Sequence, residues 1–318
     1  MMLLRVAAGD TGRVKPGAGG VIERIVAVYG RLAVQCRTPT GPLLPLGLYS
    51  RWASSPPGLL LPLGFLCIKF AAGSSQPAQQ GNRSMAIVMH DLAGADPALR
   101  FSPYCWRTRM ALAHKGLAVE TVPWRFTDKA ALAFSGQGRV PVIRDGDTVV
   151  SDSWSIAEYL EDSYPDRPSL FRGDGGRAHA RFINTWADDV MLGGIARLIL
   201  RDLLDVVAPQ DKAYFRAARE ARFGMTLEAV QEGRETRVVA FRTSLLPLRF
   251  VLGKQAWLGG DAASYADYII FGTLQWPRCS SRFELLAKDD PIAAWRERML
   301  DLFDGLGRKA STAWQGTN

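Results

Sequence analysis

Phe101-Ser102-Pro103-Tyr104-Cys105-Trp106-Arg107 decides the reading of this chain. It follows a short apolar run, Ile87 to Leu92, and opens a segment whose pattern predicts a helix from Trp106 through Lys115. A hydroxyl followed by proline at such a junction sets a small polar group at a helix N-terminus. Unpaired backbone N–H groups and a partial positive charge lie beside it there. That arrangement suits a bound thiolate. Ser102-Pro103-Tyr104-Cys105 has the shape of a Cys-x-x-Cys redox turn whose first cysteine is replaced by serine. Serine is no redox thiol, yet its hydroxyl can hydrogen-bond a thiolate that a ligand supplies.

Working outward, Ile87 to Leu92 reads as a strand and Ala118 to Phe126 as a second one. Val140-Pro141-Val142-Ile143-Arg144 and Thr148-Val149-Val150-Ser151 flank Asp145-Gly146, a strong hairpin signal. Ser153 to Tyr164 reads as a helix closed by Pro165. The order β-α-β, a loop or helix, then β-β-α predicts a small mixed sheet with helices packed on it. Tyr164 to Gly176 is rich in Pro, Gly and Asp and reads as a linker. Beyond it the strand signals stop. Arg177 to Val206, Lys212 to Phe223, Leu227 to Leu252, Ser264 to Trp276 and Ile292 to Leu306 all read as helices. Ser264-x-x-Asp267 heads one of them as a capping box, and losing the Ser264 cap should cost about 0.5–2 kcal/mol.

The net charge of +8 suggests a polyanion partner until it is located. Residues 1–84 carry a net +7 and the remainder only +1. The near-neutral body argues against nucleic-acid binding. Cys36, Cys67, Cys105 and Cys279 are far apart, and the histidines are only His90, His114 and His179, so no disulfide or metal spacing emerges. A reduced, cytoplasmic setting is the simplest reading. Residues 1–84 hold 8 of the 18 prolines and 12 of the 31 glycines. That composition interrupts regular elements. The apolar piece Gly58 to Ile68 is too short to span a bilayer and contains Pro62 and Gly64. The segment reads as a disordered basic arm or as translated upstream sequence, with Met85 as the natural start, and the second reading is favoured.

These residues resemble the glutathione S-transferase superfamily, most closely its bacterial β-etherase branch, which uses glutathione to cleave β-aryl ethers derived from lignin. The similar motifs are Ser102-Pro103-Tyr104-Cys105-Trp106-Arg107-Thr108, Arg139-Val140-Pro141-Val142-Ile143 and Asp152-Ser153-Trp154-Ser155-Ile156-Ala157-Glu158-Tyr159-Leu160. The helical half adds Trp257-Leu258-Gly259-Gly260, Ala266-Asp267-Tyr268 and Asp304-Gly305-Leu306-Gly307-Arg308. The likeness spans about 90–310. It implies a thioredoxin-like N-terminal domain (βαβ-ββα, residues 85–165), a linker over 166–176, an all-helical domain over 177–310 and a tail over 311–318. It also implies glutathione as cosubstrate without a metal, an apolar aromatic electrophile, a homodimer, and no membrane partner.

The resemblance assigns roles that compete with plainer readings. Val140-Pro141 starts a strand, and the resemblance implies a cis bond that turns the Val140 backbone toward the cysteinyl part of glutathione. Asp152 and Ser153 are common helix caps, and the resemblance gives them the γ-glutamyl end. Arg139 either clamps the glycyl carboxylate or is a solvated surface residue. Ser102 is either an N-cap or the group that stabilises the thiolate. A free thiol has a pKa near 8.5, and a drop of roughly two units needs about 2.7 kcal/mol. A hydrogen bond to a charged acceptor supplies roughly 1.5–3 kcal/mol and a helix terminus up to about 2. No base or metal is required. Cys105 is either a small buried hydrophobe or, if solvent-facing, the redox thiol of a glutathione-dependent oxidoreductase. A non-catalytic glutathione or ligand binder is the other alternative. Tyr104, Trp124, Trp154 and Trp186 belong to the core, an interface or an aromatic pocket. Arg197, Arg201 and the Arg/Glu series from Arg216 to Arg242 read as solvated helix faces with i,i+4 pairs.

Overall fold

Strand β1 (Ile87–Leu92) forms from an apolar run and occupies the interior of a four-stranded sheet, order β2-β1-β3-β4. The computed structural model describes residues 86–314, so the expectations for residues 1–84 lie outside the described residues. Strand β2 (Val119–Trp124) pairs parallel with β1, Ile87 opposite Val119 and Leu92 opposite Trp124. Strands β3 (Val142–Asp145) and β4 (Thr148–Ser151) run antiparallel, with Val142 opposite Ser151. The hairpin between them turns on Gly146, whose φ of 58° is the left-handed conformation that favours glycine.

Helix α1 (Pro103–His114) makes the crossover from β1 to β2, and α2 (Ser153–Ser163) follows β4. The first helix begins three residues before the expected Trp106, because Pro103 has the φ a first helical turn needs and no N–H to leave unpaired. Ala130–Ser135 is a short 3-10 turn between β2 and β3.

The helical half comprises α3 (Asp174–Trp186), α4 (Leu192–Ile199), α5 (Leu203–Val206), α6 (Lys212–Phe223), α7 (Leu227–Gln231), α8 (Arg234–Ser244), α9 (Leu246–Leu252), α10 (Tyr265–Ser280) and α11 (Pro291–Gly305). The stretch read as a linker carries no regular element between Tyr164 and Gly173 but is packed: Leu170 and Phe171 are buried, Phe171 against Trp154 and Tyr265, and α3 starts at Asp174. Two expectations are corrected here. The helix expected over 177–206 is interrupted by a π-helical turn, Ala187–Met191, and by a break before Leu203. The helix expected over 227–252 is three helices, broken at Gly233 (φ 66°) and again before Pro247.

Helix α10 is the spine, with nearly every residue buried. Asp267 in its first turn accepts N–H bonds from Ser264 (3.0 Å), Leu258 (2.7 Å) and Gly259 (3.0 Å), and one from the Trp295 indole (3.0 Å). Burial raises its carboxyl pKa, opposed by those donors. Helix α10 lies against α1 through Gly272, where a Cβ would stand 2.4 Å from the Pro103 carbonyl oxygen. Only glycine permits that approach. The spine therefore fixes the backbone of the residue next to Ser102. No helix among the described residues is long and apolar enough to cross a membrane.

Candidate functional site

Ser102 is the N-cap of α1, with an extended backbone (φ −68°, ψ 126°). Its hydroxyl oxygen accepts the Cys105 N–H at 3.3 Å, and its carbonyl accepts the Trp106 N–H at 3.1 Å. Pro103 has no N–H, so the first turn leaves the Tyr104 amide without an intramolecular acceptor among the described residues. A hydroxyl that accepts from the Cys105 N–H still carries a proton that can turn toward a bound anion. One O–H and one N–H thus converge at a positive helix end.

A cleft of about 740 Å³ opens over this turn. Ser102, Tyr104, Trp124, Arg139 and Val140 line it from the sheet half; Asp188, Tyr214, Phe215, Arg219 and Phe223 line it from the helical half. The Val140–Pro141 peptide is cis, as the resemblance implied. Arg139 is exposed and its backbone N–H donates to Gln137 Oε1 at 3.0 Å.

Pro141, Asp152 and Ser153 do not line the cleft but form an adjoining edge. The Pro141 carbonyl accepts the Asp152 N–H at 3.2 Å, which holds the start of α2 beside the proline. Asp152 is the N-cap, its Oδ1 accepting from Trp154 (2.9 Å) and Ser155 (3.1 Å). Its φ of 77° costs a non-glycine residue about 1–3 kcal/mol, a strain found most often at functional sites. Ser153 is buried, and its carbonyl accepts the Tyr265 hydroxyl at 2.6 Å.

Cys105 requires a correction. The redox alternative needs a solvent-facing, reactive thiol, and Cys105 is fully buried and does not line the cleft. Burial pushes its pKa well above the ordinary value and nearby Asp91 pushes it further, while the bond from Ser102 opposes them. A protonated, inaccessible thiol is a poor nucleophile. Its chemistry is packing.

Arg107 locks this turn to the helical half. Its guanidinium is fully buried and donates to Asn184 Oδ1 (2.9 Å), Asp188 Oδ1 (2.8 Å) and Thr273 Oγ1 (3.2 Å). Asp188 sits in the π-helical turn, so the irregular backbone aims a carboxylate that regular α-helix would place differently.

Of the four aromatic residues singled out in the sequence, Tyr104 and Trp124 line the cleft, whereas Trp154 packs between Phe171 and Tyr265 and Trp186 is a half-buried packing residue. Sequence reasoning missed Lys129, Arg197, Arg219 and Arg222, which also face the cleft. A signal existed for two of them. Tyr214, Phe215, Ala218, Arg219, Arg222 and Phe223 fall on one helical face at i, i+1, i+4, i+5, i+8 and i+9.

The family model described as "Glutathione S-transferase, N-terminal domain" matches residues 101–163, and "Glutathione S-transferase, C-terminal domain" matches residues 178–300. A glutathione S-transferase Z1 of Arabidopsis thaliana is 37% identical over 94 residues, covering 28% of this chain and 41% of that protein. The chain spans about two fifths of the length of such curated relatives. Among solved structures, a glutathione transferase of Phanerochaete chrysosporium is 28% identical with a TM-score of 0.57, covering 70% of this chain and 92% of its own. A glutathione S-transferase of Ceriporiopsis subvermispora in complex with glutathione is 26% identical with a TM-score of 0.55, covering 71% and 95%. Two models of one family, matched in order on the sheet half and the helical half, establish that this chain belongs to the glutathione S-transferase superfamily.

Proposed function

We propose that this protein is a glutathione transferase. In this reading it populates the glutathione thiolate at the N-terminus of α1 and directs it at an activated carbon of an aromatic electrophile. The observation that carries the reading is the Ser102 turn: a nearly buried hydroxyl (4% exposed) with a proton to donate, beside the Tyr104 amide, at the wall of the cleft. The residues present fit the tripeptide. Ser102 and the Tyr104 N–H suit the sulfur, and the Val140 backbone suits the cysteinyl unit. The α2 N-terminus with Asp152 and Ser153 suits the γ-glutamyl carboxylate and amine, and Arg139 a carboxylate. The solved complex of the Ceriporiopsis relative supports glutathione as the ligand.

The chain's own contribution is to lower the thiol pKa. A shift of roughly two units is about 2.7 kcal/mol. One charge-assisted hydrogen bond plus the helix end supply that much. Fixing the sulfur against a ring carbon contributes several kcal/mol more through alignment. In the β-aryl ether form a carbon–sulfur bond forms, the carbon–oxygen bond breaks and phenolate leaves with the bonding pair. A homodimer in the cytoplasm completes the proposal, with residues 85–165 as the glutathione domain and 177–310 forming most of the electrophile pocket.

Titration calorimetry of the full chain with glutathione tests the first half, and mass-spectrometric detection of conjugates from a panel of aryl ethers and aryl halides tests the second. Uptake followed by conjugates is the expected result. No uptake by well-folded protein refutes the proposal, and uptake without any turnover marks a non-catalytic binder.

A further inference from the structure

The helical-half wall of the cleft carries three cations, Arg197, Arg219 and Arg222, and none of them forms an ion pair or donates a hydrogen bond among the described residues. This distinguishes them from arginines close by in sequence. Arg201 pairs with Asp205 at 3.2 Å and Arg216 with Glu228 at 2.9 Å, as a solvated charge pattern predicts. The one carboxylate in the lining, Asp188, is already engaged by Arg107 at 2.8 Å.

Arg219 is the informative member. It is half-buried, with its guanidinium carbon 4.4 Å from the Phe215 ring centroid and 4.9 Å from that of Phe126. Burial depresses its pKa, and nearby Arg222 depresses it further while Tyr214 opposes them. The two rings stabilise the cation through their faces, yet its charge, half-buried and next to a second cation, is left without an anionic counterpart. Glutathione is an insufficient anion here, because its carboxylates already have partners in the proposed function on the sheet half of the cleft.

We propose that the second ligand of the cleft is an aromatic compound bearing an acid group, its ring among the aromatic side chains and its anion against Arg219 and Arg222. This deepens the proposed function, on which the word electrophile rests, and replaces a purely apolar second substrate with an anionic one. For an activated aryl chloride the step balances simply. The thiol proton goes to solvent, sulfur bonds to the ring carbon, and the carbon–chlorine bond breaks with chloride taking the pair.

The test uses the full chain without glutathione and compares naphthalene-2-carboxylate with the neutral naphthalene-2-carboxamide by calorimetry. The carboxylate should bind about tenfold or more tightly, as a charge-assisted bond implies, and R219M and R222M should each shrink that preference. R201M, at a paired arginine outside the cleft, should leave it intact, and added salt should weaken the carboxylate alone. Equal affinities for the two compounds overturn the proposal. So does a preference that survives R219M and R222M but is lost in K129M or R139M, since the anion then sits on the glutathione side. With turnover established, the kcat/KM ratio of 4-chloro-3-nitrobenzoate to 4-chloro-3-nitrobenzamide should fall by a similar factor in R219M, a comparison in which ring electronics cancel. Failure of glutathione uptake alongside a retained carboxylate preference refutes the transferase reading and leaves the anionic pocket standing.

Discussion

Replacing Ser102 by Ala removes one hydroxyl and nothing else from the first turn of α1. Two effects separate. The Cys105 N–H loses its 3.3 Å acceptor, which should cost stability about 1 kcal/mol, the ordinary value of an N-cap. The thiolate loses one of its two donors, a charge-assisted bond of roughly 1.5–3 kcal/mol. The Tyr104 amide and the helix end remain, so the bound thiol pKa should rise by about one to two units. Turnover measured below both thiol pKa values, near pH 5.5, should fall about tenfold to a hundredfold, because the thiolate fraction falls by that factor. At alkaline pH the deficit should close, since the thiol then ionises unaided. The assay is a pH–rate profile of kcat/KM with an activated aryl chloride, alongside a spectroscopic titration of the bound thiol. An unchanged bound-thiol pKa refutes the shared-donor argument. So does a loss of five orders of magnitude at unchanged folding, because it would mean Ser102 acts alone.

Gly272→Ala forces a methyl to 2.4 Å from the Pro103 carbonyl oxygen, so α1 must shift. Destabilisation of about 1–3 kcal/mol in urea denaturation and weaker glutathione binding should appear together; weaker binding without destabilisation would contradict the spine role of α10. Asp188→Ala leaves the fully buried Arg107 with only neutral partners, costing about 3 kcal/mol, the low end for buried pairs because Asp188 is 30% exposed. An unchanged denaturation midpoint would count against it. His114 gives the pH dependence. Its Nδ1 accepts from the Tyr268 hydroxyl at 2.6 Å and its Nε2–H donates to the Ser169 carbonyl at 3.1 Å, a neutral imidazole whose pKa burial holds below the ordinary value. A depressed folded pKa contributes stability that is fully present above the unfolded value, near 6.5, and is lost as pH falls through the folded one. The urea midpoint should therefore decline as pH falls below about 6.5, and His114→Gln should lessen that decline, the rest falling to His90, which burial also depresses; parallel curves for the two proteins would refute the assignment.

The strands were legible because their signals are local. Alternation and the Asp145-Gly146 turn predicted β4 at Thr148–Ser151 and the β3–β4 hairpin. The small mixed sheet followed by helices was legible from element order, whereas the thioredoxin-like assignment and the cis Val140–Pro141 bond were implied only by the family resemblance. What escaped was set by contacts distant in sequence. Nothing within residues 177–206 requires a π-helical turn; Asp188 is drawn there by Arg107, 81 positions earlier. The role of Arg219 escaped for a similar reason. Its charge pattern resembles that of Arg216, which does pair with Glu220 at 2.8 Å, whereas one of the rings under Arg219 belongs to Phe126 on the sheet half. Gly233 and Pro247 were readable breakers that the helical charge pattern overrode.

The burial of Arg107 limits how such a protein can be rebuilt. A chimera that joins this sheet half to a foreign set of helices must import acceptors equivalent to Asn184, Asp188 and Thr273 as a set. Otherwise it strands a buried guanidinium right behind the Ser102 turn. Swapping specificity by recombination is thus constrained at the Arg107 cluster, and the exchangeable material is the outer wall formed by α6.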